Sequence, residues 1–320
     1  MKFSNLIQNL EVISFHGGDP EIKGISCNSG QIREGYLFVA IRGEKNNGHR
    51  FIEEAIKRGA VAVILEEDLP LRHSLASVRV DNSRLTLAKL STRFYGRPSS
   101  KINLIGITGT DGKTTVSYLI KSILESFAKK VGLLGTINYE IGNRIVPATN
   151  TTPDAVVLNS YLHDMLGENA DYAVLEVSSH SVCQHRIDGL NFKSAIFTNF
   201  GQDHLNYHRT LEDYFQAKKA FLESLSSEGK LIINADDPSY ARIIKNIKAK
   251  IFTYAIKKRA DVFIEQDSLS LSLEGIKFKL CLEFSNSRLC NSSKDFFVQS
   301  PLIGEYNVYN ILAAICFCLT

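Results

Sequence analysis

Between residues 102 and 125 the chain passes from an apolar segment through a glycine-rich turn into an amphipathic helix, an order that few folds accommodate. Ile102 to Ile107 cluster apolar side chains as a buried parallel strand does. After Thr115, the residues Val116, Leu119, Ile120, Ile123 and Leu124 recur at helical spacing, with Lys121 and Glu125 on the other face. The turn Gly109-Thr110-Asp111-Gly112-Lys113-Thr114-Thr115 therefore joins a strand to a helix N-terminus. Glycines let successive backbone N–H groups face inward, and the helix end adds unpaired donors and partial positive charge. That is a cradle for phosphate, with Lys113 directed to the β- and γ-phosphates and the Thr114 hydroxyl to Mg²⁺. The spacing differs from G-x-x-x-x-G-K-[ST], because Ile107 occupies the first glycine position; the pattern here is G-x-T-G-T-x-G-K-T-T. The plain alternative is a glycine-rich turn that meets no phosphate.

Residues 1–98 read as a separate small α/β domain. Strand-like runs at Tyr36 to Ile41, Ala60 to Leu65 and Ser77 to Val80 accompany helical patterns at Phe51 to Arg58 and Leu85 to Tyr95. Gly96-Arg97-Pro98-Ser99-Ser100 is a turn-rich hinge, so the central domain is expected over 99–320. Asn28-Ser29-Gly30, the 43–49 cluster and Asn82-Ser83-Arg84 read first as ordinary loops, with contacts to a nucleotide or sugar beyond the strand ends as the functional alternative.

From residue 101 onward strands and helices alternate, which predicts a doubly wound, mostly parallel sheet. A hairpin is expected at Gly142-Asn143, and a second at Glu274-Gly275 within the period-two segment Ile264 to Phe284. Pro153 and Asp154 open a helix over Ala155 to Leu166. The strand Asp171 to Val177 is apolar until Glu176, and a buried strand gains nothing in packing from a carboxylate. Glu176 is thus a candidate Mg²⁺ ligand at the phosphate-loop edge. Ser178-Ser179-His180 and Gln184-His185-Arg186 follow, and the strand Ala195 to Thr198 empties into Asn199, Asp203 and His204. Four histidines fall within 29 positions there, too many at strand ends to dismiss as core residues. Leu211 to Leu225 reads as an amphipathic helix on which Lys218 and Lys219 look solvated.

Composition narrows the partners. With 37 basic and 34 acidic residues the net charge is +3, too balanced to argue for nucleic acid. The six cysteines form no C-x-x-C pair, so buried thiols in a reducing compartment are expected. The N-terminus does not read as a signal peptide, and the longest apolar run, Ile311 to Leu319, is too short to span a bilayer. A cytoplasmic protein without stable membrane association is the simplest expectation.

Taken together, these stretches resemble the bacterial Mur ligases, closest to the MurE branch, the UDP-N-acetylmuramoyl-tripeptide synthetases. The resemblance rests on the phosphate loop, Asn150-Thr151-Thr152-Pro153, Glu176 to His180, Gln184-His185-Arg186, Asp203-His204-Leu205, Tyr214 to Lys218, Asn234 to Asp237, and Gly304 with Asn307 and Asn310. It implies an ATP-dependent acid–amino-acid ligase of peptidoglycan synthesis. Such an enzyme adds meso-diaminopimelate or L-lysine to UDP-N-acetylmuramoyl-L-alanyl-D-glutamate through an acyl phosphate, as a monomer.

By that similarity the catalytic set is Lys113, Lys218 and His204. ATP falls to Gly109, Thr110, Asp111, Gly112, Lys113, Thr114, Thr115 and Asn307, and the UDP-sugar dipeptide to Ser29, Asn150, Thr151, Thr152, Ser178, Gln184 and Arg186. Mg²⁺ falls to Thr114, Glu176, His204 and Lys218, the last as the carbamate that turns an ammonium into an oxygen ligand. Two departures stand against the family pattern: Asn28-Ser29-Gly30 replaces the usual Asp-Ser-Arg, and a third, Rossmann-like domain is expected to be absent beyond Thr320. The competing readings are a nucleotide- or UDP-sugar-binding fragment without ligase activity, and another Mur ligase or folylpolyglutamate synthase using the same loop.

Overall fold

The computed structural model describes residues 1–43, 46–69, 75–203, 207–284 and 296–320. His204 lies outside them. The contacts divide the chain into two units: 1–98 with 154–163 and 184–190, and 99–153 with 164–183 and 191–320. The first break falls at the Pro98 hinge, but two later segments fold with the first unit rather than the second.

In the first unit, α1 (Phe3–Ile7), β1 (Ser14–His16), β2 (Gly24–Ser26), β3 (Tyr36–Val39), α2 (Ile52–Lys57), β4 (Ala60–Leu65), β5 (Ala76–Arg79) and α3 (Ser83–Phe94) build a five-stranded sheet ordered β1-β5-β4-β3-β2. All neighbours are parallel except β1 with β5. Successive residues feed opposite faces: Leu37 and Ile64 join Phe3, Leu6 and Leu90, while Phe38 and Val63 join Ile52 and Ala55. Both faces are covered, so these strands are apolar throughout, as a buried parallel sheet requires.

The second unit contains β6 (Asn103–Thr108), α4 (Lys113–Ser126), β7 (Val131–Leu134), β8 (Asn138–Ile141), β9 (Arg144–Pro147), β10 (Tyr172–Glu176), α6 (Ser179–Cys183), β11 (Ser194–Phe197), α7 (Leu211–Glu223), β12 (Lys230–Asn234), α8 (Tyr240–Ile243), β13 (Lys250–Ala255), β14 (Val262–Ile264), β15 (Ser270–Ser272), β16 (Gly275–Leu282), β17 (Phe296–Ser300) and α9 (Glu305–Cys318). The helix α5 (Ala155–Gly167) bridges the sequence break at residue 163. Its first turn is held by Asp154, whose carboxylate accepts from Val156 N and Val157 N.

The twelve-stranded sheet runs β15-β16-β14-β13-β12-β11-β6-β10-β7-β8-β9, with β17 also on β16. Its centre, β7 through β14, is parallel, and antiparallel hairpins extend both ends. Ile107, Val174, Ile196 and Ile232 pack in one core with Val116 and Ile120 of α4 and Val308 and Leu312 of α9. No helix of the described residues is long and apolar enough to cross a membrane.

Candidate nucleotide and metal site

The strand β6 lies between β10 and β11. The chain leaves β6 for β7 on one side, returns to β10, then proceeds to β11 on the other, so the loop after β6 opens at the point where strand order reverses. Gly112, at φ +82, stands as the left-handed N-cap of α4, a conformation that a Cβ disfavours. The loop is clamped from β11: Asn199 Oδ1 accepts from Asp111 N at 3.0 Å, and Thr198 Oγ1 donates to Asp111 O at 2.6 Å. Lys113 folds back, its Nζ donating to Thr110 O at 2.7 Å and Gly109 O at 3.1 Å. Burial holds its pKa below the usual lysine value, against the opposing pull of Glu176, Asp111 and Asp203.

Glu176 is completely buried, and its carboxylate is met by hydroxyls. Thr114 Oγ1 and Thr136 Oγ1 each donate to Oε2 at 2.9 Å, and Thr136 N donates to Oε1 at 3.1 Å. Gly135 makes this approach possible, since a Cβ there would overlap Glu176 Oε1. Below it, Thr152 Oγ1 donates to Glu176 O at 2.7 Å and accepts from Ser178 N at 3.1 Å. Thr151 Oγ1 lies 3.1 Å from the Thr136 hydroxyl. Hydroxyl and carboxylate oxygens converging at the loop fit a hard cation that keeps several waters and leans on phosphate oxygens, as Mg²⁺ does. Among the described residues no group of three or more His, Cys, Asp and Glu gathers as a metal site.

The second lysine corrects the sequence reading. Lys218, expected to be solvated, is 2% exposed. Tyr214, Phe221 and Leu222, at helical neighbour spacing, are buried on the same stripe of α7. Its Nζ donates to Gly109 O at 2.6 Å and sits 4.4 Å from the Tyr214 ring centre. Burial, reinforced by Lys113, drives its pKa well below the ordinary value, while Asp203 and Asp111 oppose the shift. Burial of this kind disfavours the charged ammonium relative to a solvated lysine. Lys219 instead pairs with Glu223 at 3.3 Å.

Thr110 to Thr115 line a cavity of about 250 Å³, together with Thr136, Thr151, Ser178 and Lys218. A second cavity, of about 620 Å³, shares Asp111, Gly112 and Thr115 and continues to Asn234, Asp236, Tyr309 and Asn310. Asp236 Oδ2 accepts from Ile256 N, Lys257 N and the Tyr309 hydroxyl, while Oδ1 is buried with no hydrogen-bond partner among the described residues. Burial and the adjacent Asp236 raise the Tyr309 phenol above its ordinary pKa. Asn307, expected at ATP, lines neither cavity; its amide donates to Ile303 O and accepts from Asn310 Nδ2.

The remaining expected contacts are divided. Thr151, Thr152 and Ser178 gather around Glu176 in the second unit, where Asn150 exchanges backbone hydrogen bonds with the Tyr139 hydroxyl. Ser29, Gln184 and Arg186 belong to the first unit. Ser29 Oγ donates to Glu54 Oε2 at 3.1 Å, and Arg186 Nε and Nη2 donate to Gln184 Oε1. His180 stacks on Tyr207 with ring centres 4.0 Å apart, and His208 Nε2 lies 2.8 Å from Ser179 Oγ. Thr136 and Tyr309 were not among the expected residues: Thr136 stands two positions after β7, and Tyr309 lies within α9.

The sequence pattern of the Mur ligase middle domain matches residues 107–318, and that described as Mur ligase family, catalytic domain, matches residues 21–95. The UDP-N-acetylmuramoyl-L-alanyl-D-glutamate--2,6-diaminopimelate ligase of Caldanaerobacter subterraneus subsp. tengcongensis is 40% identical over 93% of this chain and 60% of its own length. The enzyme of the same name from Geobacillus kaustophilus is 37% identical over 95% and 61%. A solved structure of a ligase with that name superposes at a TM-score of 0.81, with 30% identity over 98% of this chain and 62% of the other. MurF from Acinetobacter baumannii shares the fold, at a TM-score of 0.67 and 22% identity, over 99% of this chain and 64% of its own. The chain thus spans about 60% of the length of the curated relatives it matches.

Proposed function

The chain belongs to the Mur ligase family, and from that premise we propose that it serves ATP-dependent ligation of a diamino acid to UDP-N-acetylmuramoyl-L-alanyl-D-glutamate. The names of the relatives favour 2,6-diaminopimelate over L-lysine. The observation that carries the reading is the meeting of Lys113, the Thr114–Glu176 pair and buried Lys218 around one phosphate loop.

A carboxylate acylates amines poorly. The dipeptide's glutamate carboxylate therefore attacks the γ-phosphorus of ATP, ADP leaves, and an acyl phosphate forms. The amine of the diamino acid then adds to the acyl carbon, loses a proton, and expels inorganic phosphate. The first step brings two anions together, so fixed positive charge is its main requirement. Backbone N–H groups at the start of α4, residues 112–115, would supply that charge, joined by the partly desolvated Lys113 ammonium once its Nζ turns from Gly109 O and Thr110 O toward the phosphates. Thr114 and Glu176 would hold Mg²⁺, which neutralises phosphate charge when bound. Lys218 would enter as a carbamate, a reaction its depressed pKa favours by leaving more of the amine neutral. By the family pattern His204 joins it. Thr151, Thr152 and Ser178 take the sugar-peptide near the loop, and Ser29, Gln184 and Arg186 take other parts of the UDP-sugar. Free thiols at Cys27, Cys183, Cys316 and Cys318, of which Cys316 is buried and Cys183 exposed, support a reducing, cytoplasmic setting.

The test is phosphate release from ATP with the UDP-sugar dipeptide and each diamino acid in turn. Release that requires both substrates is the expected result. Nucleotide and UDP-sugar binding without release would instead identify a binding fragment.

A further inference from the structure

The turn at Gln184 to Arg186 carries an arrangement that phosphate binding does not use. His185 holds φ +56, the left-handed region that histidine enters seldom, though more readily than most residues. Its Nδ1 lies 2.6 Å from Asp188 Oδ2, and its Nε2 lies 3.3 Å from Asn82 Nδ2. The orientation of that amide is fixed independently, because Asn82 Oδ1 accepts from Leu85 N at 3.0 Å as the cap of α3. The Asn82 amide therefore donates to Nε2, and the ring proton sits on Nδ1, donating to the Asp188 carboxylate. On either side of the bend, Arg186 Nε and Nη2 grip Gln184 Oε1 at 3.1 and 2.7 Å. Every group in this network falls in the first unit.

We propose that His185, anchored by Asp188 and Asn82, is a positioning residue for the UDP-sugar dipeptide. It holds the left-handed bend so that Gln184 and Arg186 meet the ligand as one preassembled pair, and it does not touch the ligand itself. The inference rests on the functional reading above, which gives Gln184 and Arg186 to that substrate.

Calorimetry with UDP-N-acetylmuramoyl-L-alanyl-D-glutamate, and separately with Mg-ATP, tests it on wild type, His185→Ala, His185→Asn and Asp188→Asn. Alanine loses the side-chain anchors and suits the bend poorly. Asparagine tolerates the bend and places an amide donor near the Nδ1 position. UDP-sugar affinity should fall on the order of tenfold or more in His185→Ala, by several-fold in Asp188→Asn, and return to within about threefold of wild type in His185→Asn. Mg-ATP affinity should not change. Unchanged UDP-sugar affinity in His185→Ala would overturn the inference, as would His185→Asn binding as weakly as His185→Ala, or parallel loss of both ligands. Wild type that binds no UDP-sugar would overturn the functional reading as well, whereas binding by wild type with insensitive variants would overturn only this inference.

Discussion

Two lysines share one carbonyl at the phosphate loop, since both Lys113 and Lys218 donate to Gly109 O. Their predicted consequences differ. On the proposed function, Lys113→Ala removes the cation assigned to the phosphates, so turnover should fall on the order of 10³-fold or more with the fold intact; a variant with near-native turnover would contradict that role. Lys218 is better probed through pH. Burial lowers its pKa in the folded chain, so the unfolded chain binds the proton more tightly below the ordinary lysine value of 10.5. Stability should therefore rise with pH between the lowered folded-state value and 10.5, and its Lys218 contribution should level off below the folded-state value. The thermal midpoint of wild type, relative to Lys218→Met, should climb as pH is raised toward 10.5, and parallel curves would refute the lowered pKa of this lysine. The place of Lys113 at the turn into α4 was legible from the sequence because its glycine and threonine neighbours mark that turn. The burial of Lys218 was not, although Tyr214 and Leu222 at i−4 and i+4 carried a signal that the habitual exposure of lysine masked.

At the scale of elements, the strongly periodic segments were readable: β4, β6, α4, the β8–β9 hairpin and α7 all fall where hydrophobic spacing puts them. β13 and β14 escaped notice because 250–264 mixes charged residues with short apolar runs and its pairing is set by neighbours distant in sequence. β1 and β2, with only three residues each, carry too little pattern to read. α7 owes its start to Thr210, whose hydroxyl accepts from Asp213 N while the Asp213 carboxylate accepts from Thr210 N. Thr210→Ala should cost about 1 kcal/mol, seen as a lower denaturation midpoint; an unchanged midpoint would show that the capping box is not what fixes the helix carrying Lys218. The β7–β8 connection makes a sharper demand. Gly135→Ala inserts a methyl against Glu176 Oε1 and should weaken Mg²⁺ dependence of nucleotide binding by roughly tenfold, read by titrating Mg²⁺ at fixed ATP. An unaltered Mg²⁺ titration would remove Glu176 from the metal's surroundings.

For the molecule as a whole, the alternation of strand and helix made the doubly wound sheet legible, and the C-terminal ends of β10, β6 and β11 bring Glu176, the phosphate loop and Asn199 together. The return of 154–163 and 184–190 to the first unit was not legible, because no local pattern records which core a segment joins. The second of those segments carries Gln184 and Arg186. The central claim is that this assembly lets a carboxylate attack a phosphoryl group. Its most direct measurement uses UDP-N-acetylmuramoyl-L-alanyl-D-glutamate labelled with heavy oxygen in the glutamate carboxylate, with ATP and diaminopimelate, and mass spectrometry of the released phosphate. Passage through an acyl phosphate predicts one heavy oxygen atom in each phosphate formed; phosphate released without the label would contradict it.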